Sequence, residues 1–164
     1  MSTLEVLRSQ PPSCFDGFQL EVDEALINGE FSICKSVVCT CGGQNHSILG
    51  NIQIEKKGFF FKKEVTSFYP PFYLQCESCG SKELLFNPNI HGWDGVNGDS
   101  ATIVGTESVT SLGLMGKVVI AFSYQGIDNY LDIPIDTARN MFDTFSLGIM
   151  VNGQLQYVYD CECA

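Results

Sequence analysis

The sequence predicts a mainly β chain, with sheets packed in a sandwich-like way and one α-helix near residues 136–147. Three observations carry that expectation. Apolar and polar residues alternate over short runs, as on half-buried strands. Asn-Gly pairs at 28–29 and 152–153 are hairpin signals, because both positions tolerate positive φ. The aromatic content of 12%, including 12 Phe, suits a β core, and only one stretch shows helical periodicity.

In chain order, residues 1–16 form a lead-in that Pro11-Pro12-Ser13 breaks. Phe18, Leu20 and Val22 alternate, and Asn28-Gly29 turns the chain into a strand expected over residues 31–41. Residues 46–54 alternate with Ile48, Ile52 and Ile54 on one face, and residues 59–68 read as the next strand with its lysines outward. Tyr69-Pro70-Pro71-Phe72 reads as a stiff extended corner feeding residues 73–76, and Leu84-Leu85-Phe86 as the return strand. Residues 87–100 form a long polar, glycine-rich loop, a length that is uncommon unless the loop has a task or moves. Strands follow at 101–109 and 117–125, the second apolar on both faces and hence central. Asp136 is a good N-cap for a helix carrying Ala138, Met141, Phe142 and Phe145 on one face and ending at Gly148. Residues 149–151 and 154–160 close the chain as a hairpin.

The cysteines concentrate the chemistry. Cys39-Thr-Cys41-Gly42-Gly43 and Cys76-Glu-Ser-Cys79-Gly80 each place two thiols on one tight turn followed by glycine, with 34 residues between Cys41 and Cys76. Glycine there permits positive φ and lets backbone N–H groups face the sulfurs. Zinc prefers such a set of four deprotonated soft ligands in a tetrahedron. The expected ligands are therefore Cys39, Cys41, Cys76 and Cys79, the expected cofactor Zn²⁺, and its role structural, because four thiolates leave no open position for catalysis. The two knuckles resemble those of zinc-ribbon proteins over about residues 31–87. The first, Cys-x-Cys, is one residue shorter than the usual Cys-x-x-Cys, which leaves Cys34 as a rival ligand. The resemblance implies a metal site and no activity.

The remaining cysteines divide into Cys14 and Cys34, expected as buried thiols, and Cys161-Glu-Cys163, expected as a tail unless it forms a second soft-metal site or a redox pair. The start of the chain lacks the basic-then-apolar pattern of a secretory leader, which with the knuckle spacing predicts a reducing, cytoplasmic setting. The length of 164 residues predicts one domain, with the ribbon element inside it and a separate lobe from about residue 88 as the alternative. No apolar run approaches the length of a membrane span, so no membrane partner is expected.

The net charge of −10 opposes phosphate backbones, so no nucleic-acid partner is expected either. The one basic cluster, Lys56-Lys57 and Lys62-Lys63 around Gly58-Phe59-Phe60-Phe61, reads as a hairpin whose charged ends guard an apolar strand. Two functions remain. The first is a zinc-stapled binding module whose acidic surface docks a basic or polar protein, with a homodimer compatible with the apolar strands. The second is a small hydrolase or metal-dependent enzyme on the 87–100 loop, where His91, Trp93, Asp94 and Asp99 form a candidate ligand-binding set. Phosphate loops, nucleophile elbows and zinc-protease helices are all missing from the sequence, which favours the first. His46, five residues beyond the first knuckle, is expected at the surface unless it supports the metal.

Overall fold

The computed structural model describes residues 9–22, 32–60, 63–87, 109–124, 134–139, 142 and 144–162. A 3₁₀ turn (Ser13–Phe15) leads into β1 (Gln19–Val22), β2 (Ser32–Val38), β3 (His46–Lys57), β4 (Lys63–Cys76) and β5 (Lys82–Phe86). After β6 (Thr110–Ser123) come one helical turn, α1 (Ile135–Ala138), then β7 (Thr144–Val151) and β8 (Gln154–Glu162). All strand pairs are antiparallel.

The architecture is one curled eight-stranded sheet rather than two separate ones. Its two halves meet in β6. Residues 117–123 of β6 run between β2 and β7, while residues 110–116 pair with β3. The strand is apolar on both faces where it is central: Val118, Val119, Ile120 and Phe122 are all buried. Curling brings the two halves face to face across an aromatic core. Phe86 of β5 stacks on Phe145 of β7 at 4.2 Å between centroids, and Phe72 of β4 meets Tyr159 of β8 at 5.2 Å. Phe15 closes one end against Phe122, Phe142 and Phe145.

The helix expected near 136–147 is not formed. Only Ile135–Ala138 is helical, and the chain from Thr144 is strand. Phe142 and Phe145 are buried as a helix would bury them, but Phe145, Leu147 and Ile149 also alternate, and β6 and β8 hydrogen-bond that segment from both sides. Two paired edges outweigh one weakly amphipathic turn. Gly148, expected as a helix stop, sits mid-strand in register with Val119 and Tyr157. The Asn152-Gly153 turn is present, with φ of 52° and 76°.

Two other expectations change. The Pro70-Pro71 corner lies inside β4 rather than between strands. Proline cannot donate to the ladder and is accommodated at bulges. The register with β3 shifts there, from Asn51↔Tyr69 to Leu49↔Tyr73, and the Asn51 side-chain amide donates to the Pro70 carbonyl at 3.0 Å. Phe59 and Phe60 are bends at the β3–β4 tip rather than the start of a strand. The Asn28-Gly29 turn, the 101–108 strand residues and the Met141 position lie outside the described residues.

Candidate metal centre

Both knuckles lie where strand pairing ends. β2 stops at Val38 and delivers Cys39; β3 begins at His46, in register with Cys76, the last residue of β4. In the first turn the Cys39 N–H donates to the Gly43 carbonyl at 2.9 Å and the Gly42 N–H to the Cys39 carbonyl at 2.8 Å. In the second, the Cys76 N–H donates to the Ser81 carbonyl and the Gly80 N–H to the Cys76 carbonyl, both at 2.9 Å. Gly42 and Gly80 take φ of +92° and +75°, conformations that a side chain would disfavour. One bond clips the turns to each other: the Glu77 N–H donates to the Asn45 carbonyl at 3.0 Å.

The result is a four-sulfur cluster. The Sγ atoms of Cys39, Cys41, Cys76 and Cys79 all lie within 4.8 Å of one another. The closest approaches cross between knuckles, Cys39 to Cys79 and Cys41 to Cys76, each at 3.6 Å. A tetrahedron of sulfurs about 2.3 Å from one zinc has edges of about 3.8 Å, so the spacing suits one ion. Four cysteines so placed could bind a metal ion. The short Cys-x-Cys turn therefore reaches the cluster, and Cys34, buried in β2, is not part of it.

Neighbouring dipoles divide the thiols. The Cys41 backbone N–H, then the Ser81 hydroxyl, lower the Cys39 thiol to about 6. The Ser81 hydroxyl, 3.1 Å away, and the Ser81 backbone lower Cys79. Cys41 receives the Gly43 N–H at 3.4 Å, which lowers it, but the sulfurs of Cys39, Cys76 and Cys79 outweigh that donor and push it up to about 12. The cluster thus places a thiolate at Cys39 beside a Cys41 thiol that keeps its proton at neutral pH. A cation gathers such a set once the last proton leaves.

Three features of this site escape a reading of the sequence. Ser81 reaches two sulfurs, and only its position two residues after Cys79 hints at that. Gly43 packs against Cys76, and a Cβ there would stand 2.7 Å from the sulfur and 3.0 Å from the Ser78 hydroxyl. His46, expected at the surface, is 1% exposed, edge-on to Phe18 at 6.3 Å, and neither ring nitrogen has a hydrogen-bond partner among the described residues. Burial lowers its pKa and keeps the ring neutral. Elsewhere, Cys14 is a half-buried thiol pushed up to about 12 by burial. His91, Trp93, Asp94, Asp99 and Cys163 lie outside the described residues, as does the Cys161 side chain.

Comparison with protein-family models, with curated proteins and with solved structures returns no significant match. The chemistry of the centre is therefore read from its own geometry. No helix among the described residues is long and apolar enough to cross a membrane.

Proposed function

We propose that Cys39, Cys41, Cys76 and Cys79 hold one structural Zn²⁺, and that the chain is a binding module which docks a basic or polar protein through its acidic surface. The observation that carries the metal reading is the four-sulfur cluster with every pair within 4.8 Å. Four soft donors at single-ion spacing favour zinc, and a complete thiolate shell favours a structural role over a catalytic one. Such an ion joins the β2–β3 turn to the β4–β5 turn, which the Glu77–Asn45 backbone bond and the Ser81–Cys39 contact also link. Reduced thiols suit a reducing compartment such as the cytoplasm.

The binding reading rests on the net charge of −10 and on the lack of a catalytic motif in the sequence. Acidic charge would speed encounter with a basic partner and make the complex sensitive to salt. Two measurements test the pair of claims. Plasma mass spectrometry of purified protein should find about one zinc per chain. A pull-down titrated with salt should release basic partners progressively; partners indifferent to salt and charge would sink the docking reading while leaving the metal reading intact.

A further inference from the structure

Beyond the metal centre, the β3–β4 hairpin carries a surface of its own. From Asn51↔Tyr69 outward to Lys57↔Lys63, β3 and β4 pair only with each other among the described residues; β6 reaches β3 only at 46–50, and β5 reaches β4 only at 72–75. Asn51 is buried, Phe68 packs on the core and residues 66–69 line a cleft with residues 157–160 of β8, so the free two-stranded arm runs from Ile54↔Thr66 outward, three rises of about 3.4 Å or about 10 Å. At its end Phe59 is 93% exposed and Phe60 87%, with their rings 5.2 Å apart and edge-on at 75°. Four of the chain's nine basic residues fall within residues 56–63, with only Glu55 and Glu64 beside them. Lys57 and Lys63 occupy facing positions on the last rung.

We propose that this tip docks on an anionic phospholipid surface, with Phe59 and Phe60 entering the boundary between headgroups and acyl chains and the lysines meeting the headgroups. Two facts specify that partner. Aromatic rings flanked by lysines match an apolar layer roofed by negative charge, the arrangement of a bilayer interface. Lys56 and Lys63, exposed on the last two rungs, put positive charge within reach of those headgroups. The net charge of −10 predicts avoidance of anionic surfaces. The arm changes this, because its free length of about 10 Å exceeds the Debye length of about 8 Å at physiological salt, so charge behind its base is attenuated at the tip. A nucleic-acid strand fits less well: stacking on successive bases needs rings presented side by side, whereas these two stand edge to face.

The test is co-sedimentation of the metal-loaded full chain with vesicles, either pure phosphatidylcholine or phosphatidylcholine with about one-third phosphatidylserine. Binding is expected on the anionic vesicles at least about tenfold above the neutral ones, weakening as salt rises. F59S/F60S and K57E/K63E should each lower it about tenfold or more, with metal content and circular dichroism unchanged. K57E/K63E keeps like charges on the rung, so a loss reports the sign of the charge and not the strand pairing. Absence of vesicle binding, or equal binding by F59S/F60S, overturns the proposal. So does a single-stranded oligonucleotide that binds the tip while vesicles do not, or a dimer in sedimentation that F59S/F60S dissolves.

Discussion

Gly43 lies against the sulfur of Cys76, so close that a methyl group in place of its hydrogen would stand 2.7 Å from Sγ. One knuckle therefore leaves room for the other only because it lacks a side chain there. Gly43→Ala must push Cys76 or Ser78 aside, an overpacking that costs about 1–3 kcal/mol, and Cys76 is one of the proposed metal ligands. Metal affinity is expected to fall about tenfold or more in competition with a chromophoric chelator. Equal affinity in the variant would show that the two turns separate freely.

Removing the proposed ion tests how much of the fold it would carry. Folding free energies are about 5–15 kcal/mol, and structural zinc binds peptides with an apparent 10–16 kcal/mol. Cys76→Ser, or a strong chelator, is expected to abolish stoichiometric metal and lower the melting temperature sharply, as read by circular dichroism. A chelated protein that melts like the loaded one would mean that the strands hold the knuckles unaided.

Metal binding should depend on pH with a definite sign. In the metal-free cluster Cys39, lowered to about 6, is a thiolate at neutral pH, whereas Cys41, pushed up to about 12, keeps its proton. Binding must displace the Cys41 proton, so apparent affinity rises with pH across the neutral range. Below about 6, Cys39 is protonated as well and affinity falls more steeply. Chelator competition at several pH values checks this, and a flat profile would contradict it.

Ser81 is expected to act through protons. Its hydroxyl, 3.1 Å from Cys79 and 3.6 Å from Cys39, helps lower both thiols. Ser81→Ala should weaken metal binding at pH 6–7 by about three- to tenfold, the worth of one hydrogen bond. At pH 9, around the ordinary thiol value of 9.0, ionisation leans less on that hydroxyl, and the difference from the wild type should shrink. A deficit that persists at pH 9 would point to a steric role instead.

Phe145→Ala probes the seam between the two halves of the sheet. Phe145 is fully buried and stacks on both Phe86 and Phe15. Its truncation should cost about 3–5 kcal/mol in urea unfolding, with metal stoichiometry retained. A small loss would mean that the core refills around it.

What was legible in the sequence is what is encoded locally. Two thiols and a glycine within one turn announce the knuckles, Asn152-Gly153 announces its own hairpin, and the doubly apolar run at 118–122 announces a central strand. What was not legible depends on partners far along the chain. Ala138, Met141, Phe142 and Phe145 fit a helix as well as Phe145, Leu147 and Ile149 fit a strand, and pairing with β6 and β8 decides between them. The burial of His46 follows from its place in register with Cys76 and Gly116, neither of which is near it in the chain. Residues 59–68 read as one strand with an apolar start, and the exposure of Phe59 and Phe60 follows from a hairpin tip that no third strand pairs among the described residues.

The division of β6 between its neighbours bears on where this chain tolerates added length. A residue inserted within 110–123 would turn every following side chain to the opposite face and break register with β2, β3 and β7 together. The same residue added beside Gly58 would merely lengthen a solvent-facing bend. Lineages diverging from this sequence should accordingly keep the count along β6 constant.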